Sequence, residues 1–122
     1  MFKVKRSGES RVDLEIYGKL DGEAMGQLLD NLYNASTDLR HGRLLFRLDA
    51  FDLPTLGAFA VELARLPQLF RLVHRFQRCA VLTDTAWLRT ASEVEGALIP
   101  GLQVRAFRSD QELDAEDWLN VA

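Results

Sequence analysis

Residues 44–57 carry the side chains best placed to do chemistry, because an apolar run passes there into a polar loop. Leu44 to Leu48 is almost entirely apolar, Asp49 and Asp52 follow, and Thr55 is the only hydroxyl between residues 52 and 57. The carboxyl end of a parallel strand beside a helix N-terminus is a common place for ligands and modifications. The two aspartates could bind a cation or transfer protons, although aspartates at strand ends more often accept hydrogen bonds from loop amides.

Thr55 has two interpretations. It could be the N-cap of the helix predicted to begin there. It is also a candidate phosphoacceptor, because a phosphate at that position would be stabilised by the helix N-terminus. Both interpretations remain open at this point.

A second candidate feature combines basic and apolar side chains around Pro67. Proline lacks a backbone donor, so we expect the helix beginning near Thr55 to be kinked or divided there. Beyond Pro67 the apolar side chains exceed one core stripe and are interleaved with arginines, as in an interfacial amphipathic helix. The candidate ligand-binding residues are Phe59, Leu63, Leu69, Phe70, Leu72, Phe76 and Trp87, and the candidate membrane or partner surface is Arg65, Arg71 and Arg75. The alternative is a solvated basic face whose apolar residues belong to the core.

Motifs of catalysis, cofactor binding and metal binding are missing from the sequence. It has no Gly-rich dinucleotide or phosphate loop and no Gly-x-Ser-x-Gly motif. The residues with metal-binding chemistry, His41, His74 and Cys79, are far apart in the pattern. We therefore predict that the protein is not an enzyme and has no catalytic residues, no cofactor and no metal.

Composition and charge indicate one domain over residues 1–122. A net charge of −3 gives no field that would attract nucleic acid. No apolar run approaches the roughly 20 residues that cross a bilayer, so any membrane contact would be peripheral. Cys79 is the single cysteine, and the residues after Met1 lack the apolar region of a signal peptide. Both features favour a cytoplasmic location.

Hydropathy patterns place these residues on alternating strands and helices. Alternation over residues 2–6 and 12–17 predicts a β-hairpin with one buried face. A spacing of three and four predicts a helix from Gly22 to about Leu39. The remaining pattern predicts a strand at 44–48, a helix from Thr55 into the low seventies, a strand at 79–83, a helix capped by Asp84 or Thr85, a strand at 102–107 and a last helix capped by Ser109 with Glu112. The sequence therefore predicts an α/β fold, with a mixed, mostly parallel sheet of about five strands and about four helices.

Four short stretches, in this order and spacing, carry a family resemblance. They are Ile16 to Leu20 after the hairpin, Leu48 to Phe51 before the second predicted helix, Ala80 to Asp84 followed by Trp87, and Val104 to Phe107 followed by Asp110, Leu113, Trp118 and Leu119. Together they resemble the STAS domain, and more closely the SpoIIAA-like bacterial proteins, whose structures are also similar to the lipid-binding lobe of Sec14/CRAL-TRIO proteins. The resemblance implies a STAS (SpoIIAA-like) fold over the whole chain.

The resemblance also implies two functions. Its Sec14-like side implies a non-catalytic module that binds a lipid, another apolar ligand or a membrane surface near the second and third predicted helices, beside Trp87. The alternative is a protein–protein regulatory module of the anti-sigma factor antagonist type. In that group an Asp-Ser-Ser-Gly-like stretch carries a phosphorylated serine, whereas residues 52–57 here offer only Thr55. A homodimer is a further expectation, because small mixed sheets often leave an edge strand or a helix face exposed.

Overall fold

A single sheet organises the part of the chain that the structure, a computed structural model, describes: residues 2–17, 22–49, 71–72, 74–97 and 99–121. Within these ranges, the spatial order of the five strands is the same as their order along the chain. They are β1 (Phe2–Arg6), β2 (Arg11–Tyr17), β3 (Gly42–Asp49), β4 (Phe76–Leu82) and β5 (Gln103–Phe107).

The sheet is mixed. β1 pairs antiparallel with β2, whereas β2–β3, β3–β4 and β4–β5 are parallel pairs. A short connection suffices for the antiparallel pair, and the Ser7 N–H closes it by donating to the Arg11 carbonyl at 2.9 Å. The predictions of a mixed sheet, of about five strands and of an N-terminal hairpin are confirmed. The prediction that the sheet is mostly parallel is corrected to mixed, because the hairpin adds an antiparallel pair at one edge.

The described residues contain three α-helices, not about four. They are α1 (Gly22–Ala35), α2 (Ala86–Ala97) and α3 (Glu112–Leu119), with a short 3-10 helix at Ser109–Gln111 before α3. The helix predicted from Thr55 lies outside the described residues, except that residues 71 and 72 are helical.

The capping box before α3 begins one residue earlier than predicted. The capping box was expected to join Ser109 to Glu112. In the structure the Gln111 side-chain oxygen instead accepts a hydrogen bond from the Arg108 N–H at 2.9 Å. The box therefore caps the 3-10 helix, which supplies the first turn before α3 begins at Glu112.

Apolar residues are buried on both faces of the sheet. The main cluster packs the inward residues of β1 and β2 with α1 and with Leu72, Phe76 and Leu88. A second cluster packs Leu45, Ala80, Leu82 and Phe107 with Ala115 and Leu119 of α3. Because the side chains of a strand alternate between faces, α1 and α2 lie on one face of the sheet and α3 lies on the other.

Candidate functional site

Helix α2 is anchored at the carboxyl end of β4 by the backbone of Thr83. The Thr83 N–H donates to the Phe107 carbonyl of β5 at 3.0 Å. The Thr83 carbonyl accepts from Nη1 of Arg89, one turn into α2, at 2.9 Å. Thr83 itself is buried, with 1% of its surface exposed. These bonds fix the start of α2 relative to β4 and β5.

Two side chains complete the connection between β4 and α2. Oγ1 of Thr83 accepts from the Thr85 N–H at 3.3 Å, an arrangement that turns the chain toward the helix. Oδ1 of Asp84 accepts from the Ser109 N–H at 3.1 Å. Asp84, one of the two residues expected to cap α2, therefore bonds to the first residue of the 3-10 helix. Both helices begin at the same edge of the sheet.

The inner face of α2 packs tightly on the sheet. Leu88 is 1% exposed and belongs to the main cluster. Gly96 lies so close to β5 that a Cβ at this position would overlap the side chain of Val104. A small residue is required here because the helix backbone touches the strand side chain directly.

The outer side of α2 exposes two large apolar side chains. Trp87 is 51% exposed and Val94 is 59% exposed. They are seven positions apart, which is two helical turns, so they lie on the same side of the helix. We call this pair the α2 stripe. Trp87 was predicted as a ligand-binding residue. Val94 was not, although its spacing from Trp87 is visible in the sequence.

Two other predicted ligand-binding residues lie in the core. Leu72 is 4% exposed and Phe76 is 5% exposed, and both belong to the main cluster with Leu88 of α2. Their burial agrees with the structural alternative, in which the apolar residues after Pro67 pack inside the domain. Phe59, Leu63, Leu69, Phe70 and the candidate phosphoacceptor Thr55 lie outside the described residues.

The predicted basic surface is divided by the fold. Arg75 binds the end of α1: its Nη1 donates to the Tyr33 carbonyl at 3.1 Å and to Oγ of Ser36 at 3.4 Å. Its guanidinium also lies 4.1 Å from the centre of the Tyr33 ring. Arg71 is exposed, and Arg65 lies outside the described residues. Arg75 therefore stabilises the carbonyl end of a helix, where positive charge is favourable.

Arginines from elsewhere in the chain cap helix ends in the same way. Nη1 of Arg6 donates to the Ala35 carbonyl at the end of α1 and to Asp38, each at 2.8 Å. Nη1 of Arg78 donates to the Trp118 carbonyl in the last turn of α3 and to the Val121 carbonyl just after it, at 2.8 and 2.6 Å. Neither α1 nor α3 has a basic residue in its own last turn. Sequence analysis missed these caps because the donors are distant along the chain.

The clear pKa shifts belong to groups in ion pairs and to one buried thiol. The Arg11 side chain bonds to both Glu116 and Asp13, and the bond to Arg11 lowers the pKa of the Glu116 carboxyl. The bond to Arg6 likewise lowers the pKa of Asp38. Burial raises the pKa of the Cys79 thiol to about 12. A thiol in this state is a poor nucleophile at neutral pH.

None of the helices in the described ranges is long and apolar enough to cross a bilayer. Among the same residues, no three histidine, cysteine, aspartate or glutamate side chains gather in a group that could hold a metal ion.

Comparison with known proteins identifies the fold and the family. A structure of an uncharacterised protein with a SpoIIAA-like fold, from Shewanella loihica, is 22% identical, with a TM-score of 0.69. The match covers 98% of this chain and 92% of that one. No curated protein matches significantly. The family model described as SpoIIAA-like matches residues 11–120. A match of that extent covers every strand and helix after β1, and the chain therefore belongs to the SpoIIAA-like family.

Proposed function

We propose that this chain is a non-catalytic SpoIIAA-like module that binds an apolar ligand on the outer side of α2. The observation that carries the proposal is the α2 stripe, Trp87 and Val94, each more than half exposed on a helix whose other face is tightly packed. A rigid support makes such a surface suitable for binding, because little conformational entropy is lost when the ligand arrives.

Burial of Trp87 and Val94 against a ligand contributes to the free energy of binding. Complete burial of a large apolar side chain contributes about 1.5–3 kcal/mol, and roughly half of that remains to be gained at each position. The pair could therefore contribute about 1.5–3 kcal/mol, which is roughly ten- to a hundredfold in the dissociation constant. Other contacts would come from parts of the ligand beyond the stripe.

The arrangement of cations favours an apolar ligand over an anionic membrane surface. Arg75 binds a helix carbonyl, so of the arginines in the predicted basic surface only Arg71 is exposed among the described residues, and the nearby Arg78 also binds helix carbonyls. Peripheral binding to anionic lipid generally requires several basic side chains beside the apolar ones.

A non-catalytic role is supported by the kind of groups whose pKa is shifted. Active sites usually shift the pKa of groups in a cleft, so that they can exchange protons or attack a substrate. Here the shifts resolved in the described residues arise from ion pairs such as Arg6–Asp38, or from burial of Cys79 in the core.

Fluorescence can test the proposal directly, because the chain has only two tryptophans. In a Trp118→Phe variant the emission reports Trp87 alone. We expect titration with oleate to shift this emission to shorter wavelength as the indole leaves water. Vesicles of phosphatidylcholine and phosphatidylglycerol form a second arm, and a shift with vesicles but not with oleate would indicate a membrane surface instead.

The matched variants are Trp87→Ser with Val94→Ser, and Leu113→Ser. Leu113 is 80% exposed and lies on α3, on the opposite face of the sheet. Because the stripe variant removes the reporter, its oleate binding is followed by calorimetry. We expect binding to be weaker by roughly ten- to a hundredfold for the stripe variant and unchanged for Leu113→Ser. No shift with either probe, or equal binding by both variants, would refute the proposal.

A further inference from the structure

Helix α3 covers only one half of its face of the sheet. It packs on β3, β4 and β5, with Ala115 and Leu119 buried beneath it. On β1 and β2 the inward residues pack into the main cluster on the other face, together with α1. The alternate residues of these strands must therefore point to the α3 side. Arg11 bonds there to Glu116 of α3, but no helix within the described ranges packs on the other alternate residues. We call this surface the open half-face; it consists of Lys3, Lys5, Asp13, Glu15 and Tyr17.

The outer edge of the open half-face is basic. Lys3 and Lys5 are exposed on the edge strand β1, and neither forms an ion pair with another described residue. The Lys3 ammonium lies 5.9 Å from the centre of the Tyr17 ring. Asp13 is already bonded to Arg11 at 2.8 Å, and Glu15 lies opposite Lys3 in the strand register. Lys5 likewise lies opposite Asp13, so each lysine faces a carboxylate of β2 without forming an ion pair with it, and both ammonium groups are exposed at the edge.

The outer side of α3 has the complementary chemistry. Leu113 is 80% exposed, and Asp114 and Asp117 are exposed beside it. We call these three residues the acidic ridge. The other acidic side chains of α3 are used inside the domain, because Glu112 bonds to Arg47 and Glu116 bonds to Arg11.

The position of Asp117 is not explained by the stability of α3. Acidic side chains stabilise the first turn of a helix, which accounts for Asp114. Asp117 lies near the other end, where a negative charge is unfavourable. Its carboxylate therefore costs some helix stability unless a cation approaches it, and no described residue forms an ion pair with it.

We propose that the open half-face binds the acidic ridge of a second copy of this chain. Both surfaces lie on the same face of the sheet, so one two-fold rotation brings each ridge onto the open half-face of the other copy. Such an interface is isologous and closes as a dimer. Asp114 and Asp117 then approach Lys3 and Lys5 of the second copy, while Leu113 packs against Tyr17 and the lysine stems. The α2 stripe, on the other face of the sheet, remains free in this dimer.

Two charge-reversed variants provide the test. The first, Asp114→Lys with Asp117→Lys, makes the ridge basic. The second, Lys3→Glu with Lys5→Glu, makes the edge of the open half-face acidic. We expect the wild-type chain to dimerise in sedimentation velocity over a dilution series. Each variant alone meets like charge at both contacts, so its dimer dissociation constant should rise at least about tenfold.

An equimolar mixture of the two variants distinguishes this interface from a loss of folding. In a mixed dimer the basic ridge meets the acidic edge, and the acidic ridge meets the basic edge. We therefore expect the mixture to recover dimers of twice the chain mass, whereas a head-to-tail assembly would give larger species. A control of equal charge change is Asp30→Lys with Glu93→Lys, on exposed positions of α1 and α2, which should dimerise as the wild type does.

Each result of these experiments either supports or overturns the proposed interface. Recovery of dimers in the mixture supports the interface, because unfolded variants could not restore each other. A wild-type chain that stays monomeric throughout the series overturns the proposal. So do variants that dimerise normally, and a mixture that stays monomeric while circular dichroism shows both variants folded.

Discussion

Replacing Gly96 by alanine should destabilise the protein, although alanine is the better helix former. In a helix interior this change normally gains up to about 1 kcal/mol. At Gly96 the added Cβ would overlap Val104, and overpacking of this kind typically costs about 1–3 kcal/mol. We therefore expect a net loss of up to about 2 kcal/mol.

Gly26→Ala is the matched control. Gly26 lies within α1, is exposed, and has nothing within 4 Å of the position that a Cβ would occupy. The same gain in helix propensity should then appear without a packing cost. The difference between the two variants isolates the contact between α2 and β5 and should be about 1–3 kcal/mol.

Urea denaturation followed by circular dichroism measures both free energies of unfolding, provided that the slope with urea is unchanged. A third variant, Gly96→Ala with Val104→Ala, removes the overlapping γ-methyl groups but keeps the Val104 Cβ, which also overlaps the added carbon, and it should therefore recover only a small part of the loss. If Gly96→Ala stabilises the protein as much as Gly26→Ala does, then α2 does not pack on β5 as closely as we describe.

Three further predictions concern the arginine contacts and the cysteine. Arg75→Met should lower the free energy of unfolding by about 1 kcal/mol, because the end of α1 loses a hydrogen-bond donor. Arg71→Met, on the surface, should change it by less than about 0.5 kcal/mol. Equal effects of the two variants in urea denaturation would contradict the capping of α1 by Arg75. Because the bond to Arg11 lowers the pKa of Glu116, the ion pair stabilises the folded state at pH values above the ordinary carboxyl pKa of 4.5. This stabilisation is lost as the pH falls through the lowered pKa. The free energy of unfolding should therefore fall less steeply between pH 6 and pH 3 for Arg11→Gln than for the wild type. The buried thiol of Cys79, whose pKa is raised to about 12, should react with a thiol reagent at pH 8 only after urea unfolds the chain, and rapid reaction in buffer would contradict its burial.

Much of the fold could be predicted because local patterns determine it. The strict alternation in residues 12–17 required one buried face, and Val12, Leu14 and Ile16 are buried as expected. The nearly continuous apolar run at residues 44–48 indicated a strand covered on both faces. In the structure its residues contribute to both clusters, Leu44 and Leu48 to one and Leu45 to the other.

The candidate site was harder to predict because its residues depend on long-range contacts. A surplus of apolar residues after Pro67 suggested a ligand surface, but Leu72 and Phe76 are buried in the main cluster. Similarly, Arg75 looked like a surface cation until the fold placed it at the carbonyl end of α1. Periodicity indicates which side chains share a helix face, but only the packing of other elements decides which face remains in water.

The central claim, that the α2 stripe binds an apolar ligand, is tested most directly by native mass spectrometry of the wild-type chain with oleate. We predict a one-to-one adduct for the wild type and for Leu113→Ser, and loss of that adduct for Trp87→Ser with Val94→Ser. Absence of an adduct in the wild type, or an equal adduct in all three proteins, would contradict the claim.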